Sequence, residues 1–96
     1  MTDLIVKLSP PWIRMDFYQT EDRVKLVKDY LHTYSVLPSF ESDKDDAEEA
    51  FDLTNNPSRQ EEREARYGLH RSVSVGDVVE VDGIDFLCDS VGWVQV

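Results

Sequence analysis

Cysteine is nearly missing from this chain of 96 residues: Cys88 stands alone, so no intramolecular disulfide can form. Secreted domains of this size are commonly stapled by several disulfides, so the reducing cytoplasm is the expected compartment. Long apolar runs are also missing. None exceeds three residues, which argues against a membrane-spanning helix and against the apolar centre of a signal peptide. Glycine is scarce, and Gly76, Gly83 and Gly92 have turn duties, so there is no phosphate-cradling loop and no GxSxG elbow. Basic residues are few: 10 Lys plus Arg stand against 20 Asp plus Glu, a formal charge of −10. Tracking a phosphate backbone needs surplus cations, so no nucleic-acid partner is expected, and an anionic membrane is disfavoured on the same ground.

What is present suffices for one small domain. The hydrophobic fraction is 41% with ten aromatics, enough for a core, and most of Trp12, Trp93, Tyr18, Tyr30, Tyr34 and Tyr67 are expected inside it. The length supports a single domain over 1–96. A chain of this size buries about 60–68% of its unfolded surface, so it folds with a thin margin. The charge divides it into unlike parts. Residues 1–40 are neutral, with five acids and five bases. Residues 41–71 hold an acidic block, ESDKDDAEEAFD, and then an arginine-containing stretch. Residues 72–96 carry five acids and no base.

Residues 3–8 read as a strand with Leu4, Val6 and Leu8 on one face, ended by Ser9-Pro10-Pro11. Residues 12–18 alternate Ile13, Met15 and Phe17, which favours a second strand paired with the first. Thr20 suits a helix N-cap, and Val24, Val27, Tyr30, Leu31 and Tyr34 follow one helical face up to Pro38. Ser42, with Asp45 three residues on, offers the cap of a second helix carrying Ala47, Ala50, Phe51 and Leu53. Asn56-Pro57 opens a third, with Ala65 and Tyr67 for its core and Gly68 as its stop; Ser58 and Glu61 form a rival cap. From Ser72 the period becomes two. Asp82-Gly83 between β-rich runs is a strong hairpin signal, pairing Val81 with Ile84 and Val79 with Phe86. Val79, Val81, Ile84, Phe86 and Cys88 then share a core face, and residues 93–96 add a third strand. The expected class is α+β: a short N-terminal strand pair, two or three helices, and a C-terminal three-stranded antiparallel meander.

The same register sets Glu80 opposite Asp85, with Asp82 and Asp89 close by and no base after Arg71. Either this is a solvated face that confers solubility, or an acidic recognition surface for a basic partner, or Arg59, Arg63 or Arg66 neutralises it. On a helix, Asp45, Glu48, Glu49 and Asp52 also fall together, with the same choice between a solvated row and a contact row. These acids and Trp93 are the candidate partner-binding residues. Residues 93–96 also offer a terminal strand for symmetric pairing of two copies. A calcium loop counted from Glu41 has acids at positions 1, 3, 5, 9 and 12, but Asp46 occupies the position that needs glycine. His32 and His70 have no partner at metal-ligand spacing, and Cys88 lies on the core face. No metal, no cofactor and no catalytic residue are expected, and the chain reads as a non-enzyme.

One resemblance adds context. Phe51-Asp52-Leu53 with Asn56-Pro57, then RSVSVGDVVEV over 71–81, Phe86, and Asp89-Ser90-Val91-Gly92-Trp93 form a pattern. Over residues 51–96 the chain resembles the YodL-like domain of phage and mobile-element accessory proteins; residues 1–40 lie outside it. The resemblance implies no catalytic residues. It implies a small accessory protein in a host cytoplasm, encoded near anti-defence or replication functions. The expected function is therefore non-enzymatic: an inhibitor of a host defence or nucleic-acid-binding protein acting through acidic surface, a DNA mimic in effect. The alternatives are a scaffold protein whose acidity serves solubility, and a small SH3-like or OB-like binding module.

Overall fold

The computed structural model describes residues 2–43, 46–68, 71–90 and 92–96. Strand β1 (Thr2–Leu8) leads through turns into helix α1 (Thr20–Tyr30), then β2 (Ser35–Val36) and β3 (Phe40–Ser42). Helices α2 (Glu48–Asn55) and α3 (Gln60–Tyr67) follow, joined by a 3-10 turn, and β4 (Val78–Val81), β5 (Ile84–Asp89) and β6 (Gly92–Gln95) complete the chain. The class is α+β. All strand pairs are antiparallel in one sheet of order β2-β1-β4-β5-β6, with β3 also paired to β1. The sheet is open and layered with helices, so the SH3-like or OB-like barrel is not the architecture.

The hairpin forms in the expected register. Asp82 at φ 47° and Gly83 at φ 86° supply the two left-handed residues of a type I′ turn. Val81 then pairs with Ile84, Glu80 with Asp85 and Val79 with Phe86. The meander does not stand apart, however. β1 docks on β4 from Leu4↔Val81 to Lys7↔Val78, which places the N-terminal strand inside the sheet, between β4 and the β2/β3 edge. Alternation along β1 and β4 divides the core in two. On one face Leu4, Val6, Phe40, Val79, Val81 and Cys88 meet Ala47, Ala50 and Leu53 of the α2 region and Tyr67 of α3. On the other, Val78 and Leu87 meet Met15, Val27 and Tyr34 beneath α1. Full burial of each such valine or leucine stabilises by roughly 1.5–3 kcal/mol.

Several local expectations are corrected. Residues 12–18 form turns, not a strand: Met15 points inward, Ile13 is half-buried and Phe17 is 93% exposed. The partners of β1 within the first 42 residues are β2 and β3 instead. Thr20 does not cap α1. Gln19 holds that position, and the Thr20 hydroxyl donates to Asp89 Oδ2 at 2.6 Å. The helix stops at Tyr30, well before Pro38; Tyr34 lies beyond it, buried, its hydroxyl donating to Gly76 O at 2.7 Å. Ser42 closes β3 rather than opening α2, where the Glu49 N–H donates to Asp46 Oδ1 at 3.3 Å. Asn56 caps the 3-10 turn Pro57–Arg59, accepting from the Ser58 N–H at 3.0 Å, rather than α3 itself, whose N-cap position is Arg59; Gly68 at φ 71° ends α3. Ala65 is exposed, so Tyr67 is the buried side chain of α3.

Candidate partner-binding surface

The acidic face of the hairpin is built on Glu80 and Asp85, directly opposite each other. Pairing of β1 with β4 brings Lys7 between them, with Nζ 2.9 Å from Glu80 Oε1 and 2.8 Å from Asp85 Oδ1. Partial burial opposes the lysine charge, but the bonds to Asp85 and Glu80 outweigh it and hold the ammonium above its ordinary pKa. Neither the arginines of α3 nor bare solvent compensates this pair: the neutralising group comes from β1. Asp89 leaves the candidate surface altogether. It is 7% exposed and forms an ion pair with Arg23, itself buried and bonded through Nε to Met15 O at 2.9 Å. The hydrogen bond from Thr20, helped by Arg23 and the Ser90 backbone, holds the Asp89 carboxyl below its usual range despite burial.

The α2 acids are also partly spoken for. Arg59 Nη1 lies 2.6 Å from Glu49 Oε1 and 2.8 Å from Asp52 Oδ2, while its Nη2 reaches Glu62 Oε1 at 3.0 Å. Bonds to Glu62 and Glu49 raise the guanidinium pKa well above normal, and Arg59 in turn lowers that of Glu62. Glu48 Oε2 accepts from Trp93 Nε1 at 2.9 Å, which ties α2 to β6. Asp46, Glu48, Glu49 and Asp52 line a hollow of about 300 Å³. Asp45 lies outside the described residues.

Other acids take the place of those neutralised. Asp3 and Glu41 are cross-strand partners on β1 and β3. The Asp3 N–H donates to Asp82 Oδ1 at 2.9 Å, and the Asp82 N–H donates to Asp3 O at 3.0 Å. Asp46 and Asp82 together border a groove of about 400 Å³ floored by Ala47, Val81, Ile84, Phe86 and Trp93. Asp3, Glu41, Asp46 and Asp82 are exposed, and no Lys or Arg among the described residues pairs with them. The candidate surface is thus an apolar groove bordered by Asp46 and Asp82, within an arc of four carboxylates that wraps the end of the sheet: Leu4 and Phe40 share the groove's face, so Asp3 and Glu41 turn to the α1 face. Glu48 and Trp93 stand at the groove's other end. Of the expected residues it keeps Asp82, Glu48 and Trp93. Sequence reasoning missed Asp3, Glu41 and Asp46 as contact groups, because the β1–β4 and β1–β3 pairings bring Asp3 and Glu41 to Asp82, and the packing of the α2 region on the sheet brings Asp46 there. It placed Ile84 in the core, yet Ile84 is 45% exposed. Its place at the hairpin tip, beyond the reach of a short α2, was a usable signal.

The remaining chemical groups are quiet. Cys88 is buried, and burial, with Asp77, Glu48 and Asp89 nearby, pushes its thiol up to about 11. At neutral pH it is a protonated core side chain rather than a nucleophile. His32 is exposed, and His70 lies outside the described residues. Among the described residues no group of three or more His, Cys, Asp or Glu has the geometry to hold a metal ion. The aromatics divide differently from expectation: Trp12, Phe17, Tyr18 and Tyr30 are exposed, with Trp12 edge-on to Tyr30 at 5.4 Å.

Comparison with protein-family models, curated proteins and solved structures finds no match to this chain. No helix among the described residues is long and apolar enough to cross a membrane.

Proposed function

We propose that this chain is a non-enzymatic accessory protein that binds a basic protein partner, covering on it a surface that would otherwise meet nucleic acid. The observation that carries this reading is the arc of Asp3, Glu41, Asp46 and Asp82 at one end of the sheet: exposed, without a basic partner among the described residues, and with Asp46 and Asp82 bordering an apolar groove. Contact cores combine an apolar centre with a polar rim, and a rim of one sign selects and steers an opposite partner. Fixed carboxylates present to a basic surface the charge that phosphates would. The YodL-like resemblance of residues 51–96 supplies the setting: a phage or mobile-element protein acting on a defence or replication protein in the host cytoplasm.

The test compares the wild type with the triple variant Asp3→Asn, Glu41→Gln, Asp82→Asn. Asn at 82 keeps an acceptor for the Asp3 N–H and tolerates the left-handed turn position. Proteins retained from host lysate should be basic and should elute as salt rises from about 0.05 M to about 0.5 M, where screening shortens to a few Å. The triple variant should lose them. An identical retained set with the triple variant sinks this reading and favours a scaffold whose acidity serves solubility.

A further inference from the structure

The outer strand β6 is an open edge. Among the described residues it pairs with β5 alone. The Val96 N–H donates to Asp85 O at 3.0 Å, and antiparallel bonding alternates along a strand, so Val94 also turns toward β5. Trp93 and Gln95 therefore turn their N–H and C=O groups outward. Natural edges are commonly guarded by lysine, proline, an inward-pointing charge or a bulge. β6 reads Gly-Trp-Val-Gln and carries none of them.

The two sides of this edge differ chemically. Val94 and Val96 lie on the α1 side, packed at the margin of the core formed by Met15, Val27 and Leu87. Trp93 lies on the α2 side, its ring bound to Glu48 and walling the groove that ends in Asp46 and Asp82. A strand added to β6 sets alternate side chains against these two sides. Those beside Val94 and Val96 meet apolar surface. Those beside Trp93 meet an indole face and carboxylates, which suit a lysine or arginine. A second copy of this chain fits poorly: it would bring another formal −10 to the same edge, and its own β6 has no base to offer.

We infer that β6 captures an extended segment of the partner as an added strand, the segment alternating Lys or Arg with Val, Ile or Leu. This rests on the basic-partner reading above and adds to it the mode of capture: main-chain bonds to Trp93 and Gln95 give affinity, and the alternation gives specificity.

The experiment uses a short peptide alternating lysine and valine, a control of the same composition with lysines and valines in separate blocks, and the isotope-labelled full chain. Amide shifts on adding the alternating peptide should concentrate at residues 92–96, with slowed exchange at the Trp93 and Gln95 amides. Gln95→Pro removes an outward N–H without touching the β5–β6 ladder, so its melting midpoint should stay close to wild type while peptide affinity falls about tenfold or more. Unchanged affinity in Gln95→Pro overturns the edge inference. Equal binding of the blocked control, with shifts at Asp3, Glu41 and Asp82 alone, overturns it too but leaves the acidic reading standing. Binding lost in Gln95→Pro yet indifferent to salt and to the triple acid variant keeps the edge and removes the basic-partner reading. Self-association of wild type abolished by Gln95→Pro makes the occupant a second copy and overturns the peptide assignment.

Discussion

Arg23 and Asp89 form the ion pair, among the described residues, in which both side chains are buried. Removing one member of such a pair strands the other in a poor solvent, at about 3–5 kcal/mol. Asp89→Asn should therefore lower unfolding free energy by about 3 kcal/mol in urea titrations, the low end, because the Met15 and Asp16 carbonyls still accept from Arg23. The pH dependence has a definite sign. The folded pKa of Asp89 lies below its ordinary 3.8, so the stabilisation is complete above pH 3.8 and disappears as pH falls through the lower folded value. The Asn variant should lack that part of the acid loss. Tyr67 makes the opposite case. Its hydroxyl is buried without a hydrogen-bond partner among the described residues, while its ring packs edge-on to Phe40. Tyr67→Phe keeps the ring and deletes the unsatisfied group, so it should raise stability by up to about 1 kcal/mol in the same titration. A loss of that size would mean the hydroxyl finds a partner in solution.

At the scale of elements, β1 does most to organise the molecule, since it pairs β2, β3 and β4. It also delivers Lys7 to a like-charged cross-strand pair. Lys7→Met should cost about 1–2 kcal/mol, because Glu80 and Asp85 then repel across the ladder while half-buried. Adding Glu80→Gln should recover most of that loss, a coupling readable in a double-mutant cycle. Full additivity would mean that Lys7 acts through its packing alone. This element also explains what was legible in the sequence. The β4–β5 register follows from a two-residue turn and a period of two, both local, so it was readable down to Glu80 facing Asp85. The pairing of β1 with β4 joins residues more than seventy positions apart and leaves no local trace, so the neutralising lysine was invisible. Residues 12–18 misled because Ile13, Met15 and Phe17 alternate by type while the chain turns: the Ile13 N–H donates back to Pro10 O at 3.1 Å and the Tyr18 N–H to Met15 O at 3.2 Å. Thr20 misled because the helix starts one residue early, with Gln19 at the cap position, and the Thr20 hydroxyl donates instead to Asp89, far away in sequence.

At the scale of the whole molecule, some of the 20 acids are neutralised inside the fold and others are not. Glu49, Asp52, Glu62, Asp77, Glu80, Asp85 and Asp89 sit within ion-pair distance of Arg59, Arg71, Lys7 or Arg23. Asp3, Glu41, Asp46 and Asp82 are among the acids that have no such pair within the described residues, and these four lie together at one end of the sheet. Self-repulsion therefore comes mainly from exposed groups, which salt screens, whereas the pairs of Lys7, Arg23 and Arg59 are at least half-buried and are screened much less. Thermal stability should accordingly rise with sodium chloride from about 0.01 M to about 0.3 M, across which the screening length falls from about 30 Å to several Å. The triple variant Asp3→Asn, Glu41→Gln, Asp82→Asn removes three of these exposed charges. It should melt higher than wild type at low salt and show a flatter dependence in scanning calorimetry. A wild-type midpoint that falls with salt would mean that the internal ion pairs outweigh the surface repulsion. The acidic arc would then carry no folding cost, and its density would no longer argue that a partner maintains it.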